Sequence, residues 1–420
     1  MKTVRLTAAQ AMMRWLSVQM TEGGERFIEG VWAIFGHGNV AGVGEALQGV
    51  SATLPTWRGQ NEQTMAHAAI AYAKTMKRKK AMAVSSSIGP GATNMVTAAA
   101  LAHVNRLPVL LIPGDVFANR RPDPVLQQIE DFNDGVMSVT DCFRPVSRYF
   151  DRISRPEHLL TALPRAMRVM TDPADCGPVT LAFCQDVQAE AYDYPESFFE
   201  PKIWRIRRPH PDPREVAELA EAIRSAKAPV LISGGGVIYA DAEAELAAFA
   251  KRHNIPYAET QAGKGANDWR DPLNFGSPGV TGSDCANALC AKADLIIGVG
   301  TRFQDFTTGS WTAFANPARK LASINLAPYD AAKHDATPIV GDAKIVIELL
   351  DKALGAHRAA EPDFASREAW FKTSDNAIAA PAGKTANALP SDAQVIGAVQ
   401  RHAGPSTIVM CAAGTMPGAL

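Results

Sequence analysis

The chain contains no stretch approaching 18 uninterrupted apolar residues, which excludes an ordinary membrane-spanning helix. It carries almost no net charge, −1 from 42 Lys and Arg against 43 Asp and Glu, and its only dense basic run is Lys77–Lys80. A nucleic-acid surface needs a broader basic field, so nucleic acid is not an expected partner. The short run reads instead as a cap on a helix end, where the dipole favours cations. Six cysteines, Cys142, Cys176, Cys184, Cys285, Cys290 and Cys411, form no CxxC pair and no compact ligand pattern. They read as reduced thiols of a cytoplasmic protein. The opening MKTVRLTAAQAMMRWL is polar and periodic rather than a basic stub, an apolar run and a cleavage site, so no secretory signal is expected.

What is present is 420 residues, 47% hydrophobic, enough for two or three domains with real cores. Residues 55–94 are the most informative stretch. LPTWR approaches as a strand, a polar GQNE turn follows, and QTMAHAAIAYAK reads as an Ala-rich helix. AMAVSSS is then a short strand, and the turn IGPGATN leads into an apolar helix, MVTAAALAHV. Strand–turn–helix units in succession predict an α/β domain with a parallel sheet, whose ligands sit beyond the carboxyl ends of strands. Glu62 and the Gly89-Pro90-Gly91 turn both fall there. Upstream, residues 6–20 read as an amphipathic helix. VWAIF (31–35) reads as a strand feeding the tight turn Gly36-His37-Gly38-Asn39, with a helix starting near Gly42. Glycines in such a turn permit positive φ or close approach by a ligand. PVLLIPG (108–114) is a buried parallel strand. The irregular stretch 115–135, with Gln127 and Gln128, is a candidate cleft wall. Residues 156–171 read as helix, and PVTLAFCQDV (178–187) as the last strand of the first domain.

These patterns predict an α/β chain of successive doubly wound parallel-sheet domains. The first spans 1–190, an aromatic linker lying against a domain spans 191–212, and a central domain spans 213–353. A connector with a helix inside it covers 354–390. At 391–420 a third domain starts, with SDAQVIGAVQRHA as helix and STIVMCAAG as strand, and most of it is expected to be missing. Gly234-Gly235-Gly236 lacks the spaced GxGxxG and acidic partner of a dinucleotide site, so no signal for NAD is present.

Glu62 within NEQTMAHAAIAYAK, GPGATN at 89–94 followed by PVLLIPG, and GVGTRFQDFTTG at 298–309 together resemble the thiamine-diphosphate enzyme superfamily. The layout is nearest to the acetolactate synthases. VWAIFGHGNVAGVGEAL, TWRGQNEQTMAHAAIAYAK and the terminal VMCAAGTMPGAL resemble, more narrowly, the inositol-catabolism branch, which opens a cyclic 1,2-diketone hydrolytically to an open-chain acid. The resemblance covers essentially all 420 residues. It implies three domains (pyrimidine-binding, central and diphosphate-binding), with thiamine diphosphate and Mg²⁺ as cofactors. It also implies a cofactor held between subunits, hence at least a homodimer. FAD, carried by acetolactate synthases, is not expected. The superfamily's diphosphate and Mg²⁺ motif, a GDG followed by asparagines, is not found, and Gly341-Asp342-Ala343 does not match it. Metal ligands are therefore expected beyond Leu420, and the 420-residue chain alone is expected to be inactive.

The resemblance gives Glu62 the role of bonding N1′ of the aminopyrimidine, so that the 4′-imino form can take the C2 proton. A carboxyl partly shielded from water suits that exchange. Read without the resemblance, Glu62 is equally a helix-start carboxylate favoured by free N–H groups. The same resemblance puts Gly36, Gly38, Asn39, Pro90, Gly91 and Asn94 on the pyrimidine side. His37 and Gln128 (or Gln127) become candidates to handle the cyclic dione substrate by hydrogen bonding or proton exchange. A structural turn histidine and a solvated loop glutamine are the alternatives. Two other functions are compatible with the sequence: a 2-keto acid carboligase or decarboxylase like acetolactate synthase, and a non-catalytic scaffold fragment.

Overall fold

The structure, a computed structural model, describes residues 2–122, 124–129, 131–381, 389–411 and 414. The chain divides into two compact units, Met1–Arg207 and Arg208–Leu420. Among the described residues no helix is long and apolar enough to cross a membrane.

In the first unit six strands form one parallel sheet in the order Thr56–Arg58, Ile28–Ala33, Ala81–Ser86, Val109–Asp115, Pro178–Cys184, Tyr149–Ile153. Ala81–Ser86, Val109–Asp115 and Pro178–Cys184 are buried along their whole length, as in a sheet covered on both faces. That double coverage is why they read as predominantly apolar runs. Tyr149–Ile153, at the sheet edge, is only half-buried and has no such run, so the sequence did not announce it. The chain steps outward from Ile28–Ala33 to Thr56–Arg58, then crosses back to Ala81–Ser86. The strand order therefore reverses between Ile28–Ala33 and Ala81–Ser86, and a crevice opens at such a switch point.

Residues 6–20 are not one helix. A strand (Thr3–Thr7), a helix (Ala8–Leu16) and a second strand (Gln19–Thr21) occupy the segment, and a Thr7/Gln10 capping box starts the helix. Both strands pair with remote partners: Thr3–Thr7 runs antiparallel to Ala191–Pro195, and Gln19–Thr21 runs parallel to Lys202–Trp204. The aromatic segment after residue 190 is thereby built into the first unit. Tyr194 is fully buried there and its hydroxyl donates to the Pro156 carbonyl at 2.8 Å.

The basic run closes the end of a helix through its backbone, Lys77 N–H donating to Lys74 at 3.0 Å and Arg78 N–H to Ala73 at 2.8 Å. Lys77 and Arg78 take left-handed backbone conformations just after the helix Glu62–Thr75. The Lys80 amine turns back to Glu29 at 2.5 Å and Glu25 at 3.5 Å, while the Tyr72 hydroxyl donates to Glu29 at 3.1 Å. The hydrogen bond from Lys80 holds the Glu29 carboxyl below its ordinary value of 4.5, against burial, which pushes it up. A folded-state value below the unfolded one gives stability that is present above the unfolded value and lost as pH falls through the folded value. Glu29→Gln is expected to melt below the parent at pH 7. Thermal melts at decreasing pH should show that deficit closing as pH falls below the ordinary carboxylate value of 4.5.

The second unit has a five-stranded parallel sheet in the order Tyr257–Glu259, Pro229–Ser233, Leu295–Val299, Lys320–Asn325, Thr337–Val340. Its switch point lies between Pro229–Ser233 and Leu295–Val299. The triple glycine sits there, but another turn fills it: Gly234 N–H donates to Val299 at 2.9 Å and Gly236 N–H to Gly300 at 3.0 Å. A Cβ on Gly300, at φ +62°, would lie 2.5 Å from the Gly236 Cα. The glycines serve close contact between two turns. Gly300→Ala combines that clash with left-handed strain and is expected to cost about 2–4 kcal/mol, read as a lower urea midpoint.

Asp342, in the Gly341-Asp342-Ala343 segment, caps the helix Ala343–Leu354 by accepting from Lys344 and Ile345 N–H. Beyond it, helices Phe364–Ala379 and Asp392–His402 meet closely at Gly397, where a Cβ would lie 2.0 Å from the Ile378 carbonyl. The strand expected in STIVMCAAG is not formed over 406–411, where Ile408 and Met410 are 87% and 92% exposed. An extended segment without sheet neighbours leaves its N–H and C=O groups to water. The remainder of the terminal VMCAAGTMPGAL, apart from Gly414, lies outside the described residues.

Candidate active site at the switch point of the first sheet

Two turns form the crevice. Strand Ile28–Ala33 leaves into Gly36–Asn39, which is already the first turn of a helix rather than a free tight turn. That helix runs on through one wider turn, Val40–Gly44, to Glu45–Gly49. Wider turns of this kind recur at functional sites. Strand Ala81–Ser86 leaves through Ser87–Gly89 into the short helix Pro90–Thr93, with Pro90 exposed at its first position.

The two turns interlock. Gly36 has φ +51°, and a Cβ on it would sit 2.4 Å from the Ser87 Oγ; one on Gly38 would sit 2.6 Å from the Ile88 side chain. These glycines give the space a Cβ would occupy to the neighbouring turn. Asn39 is also not ligand-facing. It is fully buried, its amide donates to Ser85 Oγ at 2.8 Å and the Ser86 carbonyl at 2.6 Å, and its Oδ1 accepts from Gln188 at 2.7 Å. A side chain whose donors and acceptor are met inside the fold has none left for a cofactor. Gln188 further donates to the Gly38 carbonyl at 3.1 Å, and Gln185 to the His37 carbonyl at 3.2 Å. Both glutamines follow the last strand, and nothing in their local sequence marks them as partners of residues 150 positions earlier.

Glu62 begins the helix Glu62–Thr75, whose Asn61 cap accepts from Thr64 N–H at 3.0 Å. Its carboxyl is half-buried. Oε2 accepts from Asn94 Nδ2 at 2.7 Å, so the structure joins these two predicted residues. Oε1 is 3.3 Å from where a Cβ on Gly91 would be, so a side chain at Gly91 would crowd this oxygen. Among the described residues no hydrogen-bond donor meets Oε1. Nearby, the Ser87 hydroxyl is buried without a partner. A half-shielded carboxyl with one oxygen fixed and the other unengaged fits the N1′ edge of an aminopyrimidine.

His37 and Gln128 meet the loop that follows strand Val109–Asp115. The His37 Nε2 lies 2.8 Å from the Leu126 carbonyl. Gln127, at φ +63°, places its own carbonyl 1.9 Å from where a Cβ on Gly89 would be. The Gln128 Oε1 accepts from Val125 N–H at 3.0 Å and closes a local turn.

The base of this loop holds residues the sequence reading missed. Asp115 is 1% exposed and accepts from Val116 N–H at 2.8 Å, Thr140 Oγ1 at 2.9 Å, Arg152 Nε at 2.6 Å and the Ser138 hydroxyl. An aspartate ending a wholly buried apolar strand was the available signal, because a buried carboxylate must find partners. Asp186 holds the other side, accepting from Ala118 and Asn119 N–H, both at 2.9 Å. Among the described residues no group of three or more His, Cys, Asp or Glu is placed to hold a metal ion.

A family model described as the thiamine pyrophosphate enzyme N-terminal TPP binding domain matches residues 29–134, and one described as the thiamine pyrophosphate enzyme central domain matches residues 216–350. A 3D-(3,5/4)-trihydroxycyclohexane-1,2-dione hydrolase of Geobacillus thermodenitrificans is 46% identical over all of this chain and 69% of the relative. Hydrolases of the same name from Bacillus cereus strain AH820 and Bacillus anthracis strain A0248 are each 50% identical over 84% of this chain. The chain spans 55% of the length of those two. The chain thus belongs to the thiamine pyrophosphate enzyme family and carries that family's N-terminal and central domains.

Proposed function

We propose that the chain serves the hydrolytic cleavage of the carbon–carbon bond between the two carbonyls of 3D-(3,5/4)-trihydroxycyclohexane-1,2-dione, giving 5-deoxy-glucuronate in inositol breakdown. The observation that carries this reading is the 46–50% identity to hydrolases named for that dione. The working form is proposed to be a cytoplasmic homo-oligomer using thiamine diphosphate and Mg²⁺.

When bound, the cofactor supplies a sink for the electron pair of the breaking bond. The chain's own residues do the rest. Glu62 offers Oε1 to the pyrimidine nitrogen and exchanges a proton there, while Asn94 at Oε2 keeps the carboxylate from turning away. The interlocked turns at Gly36 and Ser87 keep the jaws of the crevice at a fixed separation, the positional control that proximity effects require.

The test uses the protein at the full length of its relatives, supplied with thiamine diphosphate and Mg²⁺, and assays both the cyclic dione and pyruvate. Ring opening of the dione to an acid, without pyruvate consumption, is the expected result; the 420-residue chain alone is expected to give none. Consumption of pyruvate with the dione untouched would replace this reading with a carboligase or decarboxylase.

A further inference from the structure

The proposed reaction needs a group that moves a proton on the substrate side, and His37 is the titratable side chain on the first jaw. Which of its nitrogens is available decides what it does. Nε2 lies 2.8 Å from the Leu126 carbonyl, and a backbone carbonyl only accepts. Nε2 must therefore carry a proton. Among the described residues Nδ1 has no hydrogen-bond partner.

We infer that the Leu126 carbonyl is a positioning group that fixes His37 as the Nε2–H tautomer, so that His37 acts at the crevice through Nδ1 as a proton acceptor. This inference deepens the proposed function and, for its catalytic half, rests on it. The carbonyl is well held. The adjacent Gln127 carbonyl is seated on Gly89, which has φ +59° and no Cβ to displace it. The loop is tied at its base by Asp115 and Asp186. On the other side, Gln185 and Gln188 grip the carbonyls of His37 and Gly38. The backbone that carries His37 and the loop that carries Leu126 are thus anchored independently, and the ring's hydrogen bond joins the two.

The proton balance is simple. Nδ1 takes a proton from a water or a substrate hydroxyl whose oxygen becomes the nucleophile. The imidazolium keeps its Nε2–H on Leu126, in a bond strengthened by the charge. The same proton then leaves Nδ1 for the product, restoring the Nε2–H tautomer.

The first measurement is ¹⁵N NMR of the labelled histidine rings at neutral pH, with His37 assigned by the signals lost in His37→Gln. The expected spectrum has a protonated Nε2 and an unprotonated Nδ1. An Nδ1–H tautomer would overturn the inference. Gly89→Ala, which pushes on the Gln127 carbonyl, is expected to release the ring into a tautomer mixture; an unchanged tautomer in a folded variant would remove the loop's role. Activity then separates the chemistry from the geometry in the full-length enzyme. Glutamine at position 37 keeps a donor near the Nε2 position and lacks the Nδ1 lone pair, so His37→Gln should lose kcat at least tenfold with KM within about twofold. A kcat near the parent's would remove Nδ1 from the reaction. A parent enzyme inert toward the dione would instead count against the proposed substrate, leaving the tautomer result standing.

Discussion

Glu62→Gln is expected to reduce kcat for dione opening by about 10²–10⁴-fold in the full-length enzyme, the range for removing one acid–base group. The fold should not change. The side-chain carbonyl of glutamine can still accept from Asn94, as Glu62 Oε2 does at 2.7 Å, and Asn61 remains as the helix cap. What disappears is the group at Oε1 that exchanges a proton. Parallel thermal melts and steady-state kinetics separate these effects. A variant with parental melting and a kcat within tenfold of the parent would show that Glu62 is a helix-start carboxylate and nothing more.

Asp115→Asn is expected to cost about 3–5 kcal/mol, the range for breaking a buried ion pair from one side. Asp115 accepts from four donors, and Arg152 and Val116 N–H can only donate. An amide NH₂ in place of one carboxylate oxygen sets donor against donor. Arg152 keeps Asp141 at 3.0 Å as a second partner, which holds the loss toward the lower end. The consequence should be local as well as global. Hydrogen exchange should quicken over residues 116–122 and 124–129, because the loop loses one of its two anchors while Asp186 keeps the other. Parental urea midpoints and unchanged exchange would show that the loop is held by something else.

The sequence by itself determined the parallel α/β class, because strands covered on both faces are predominantly apolar, as AMAVSS, VLLIPGD and PVTLAFC are apart from Ser85, Ser86, Asp115 and Thr180. It placed Glu62 and Gly91 at strand exits, since an Ala-rich helix after a polar turn has one plausible start. It did not join Glu62 to Asn94, because nothing in the 32-residue separation states that the two side chains meet. It could not identify Tyr149–Ile153, which lies at an edge and needs no apolar run, nor the pairing of Thr3–Thr7 with Ala191–Pro195, which depends on contacts nearly the whole unit apart.

The tertiary structure decided which polar residues remain available for chemistry. Asn39 resembled a ligand contact in the sequence and is consumed by Ser85, Ser86 and Gln188; Gln128 spends its Oε1 on its own turn. Gly36 and Gly38 read as open to close approach by a ligand, and the space a Cβ would take on each is filled by the facing turn. The physical reason is common to all of them. Residue type sets what a side chain can donate, accept or leave empty. Whether that capacity is met inside the protein depends on which distant backbone comes to rest against it, and only the packed fold fixes that.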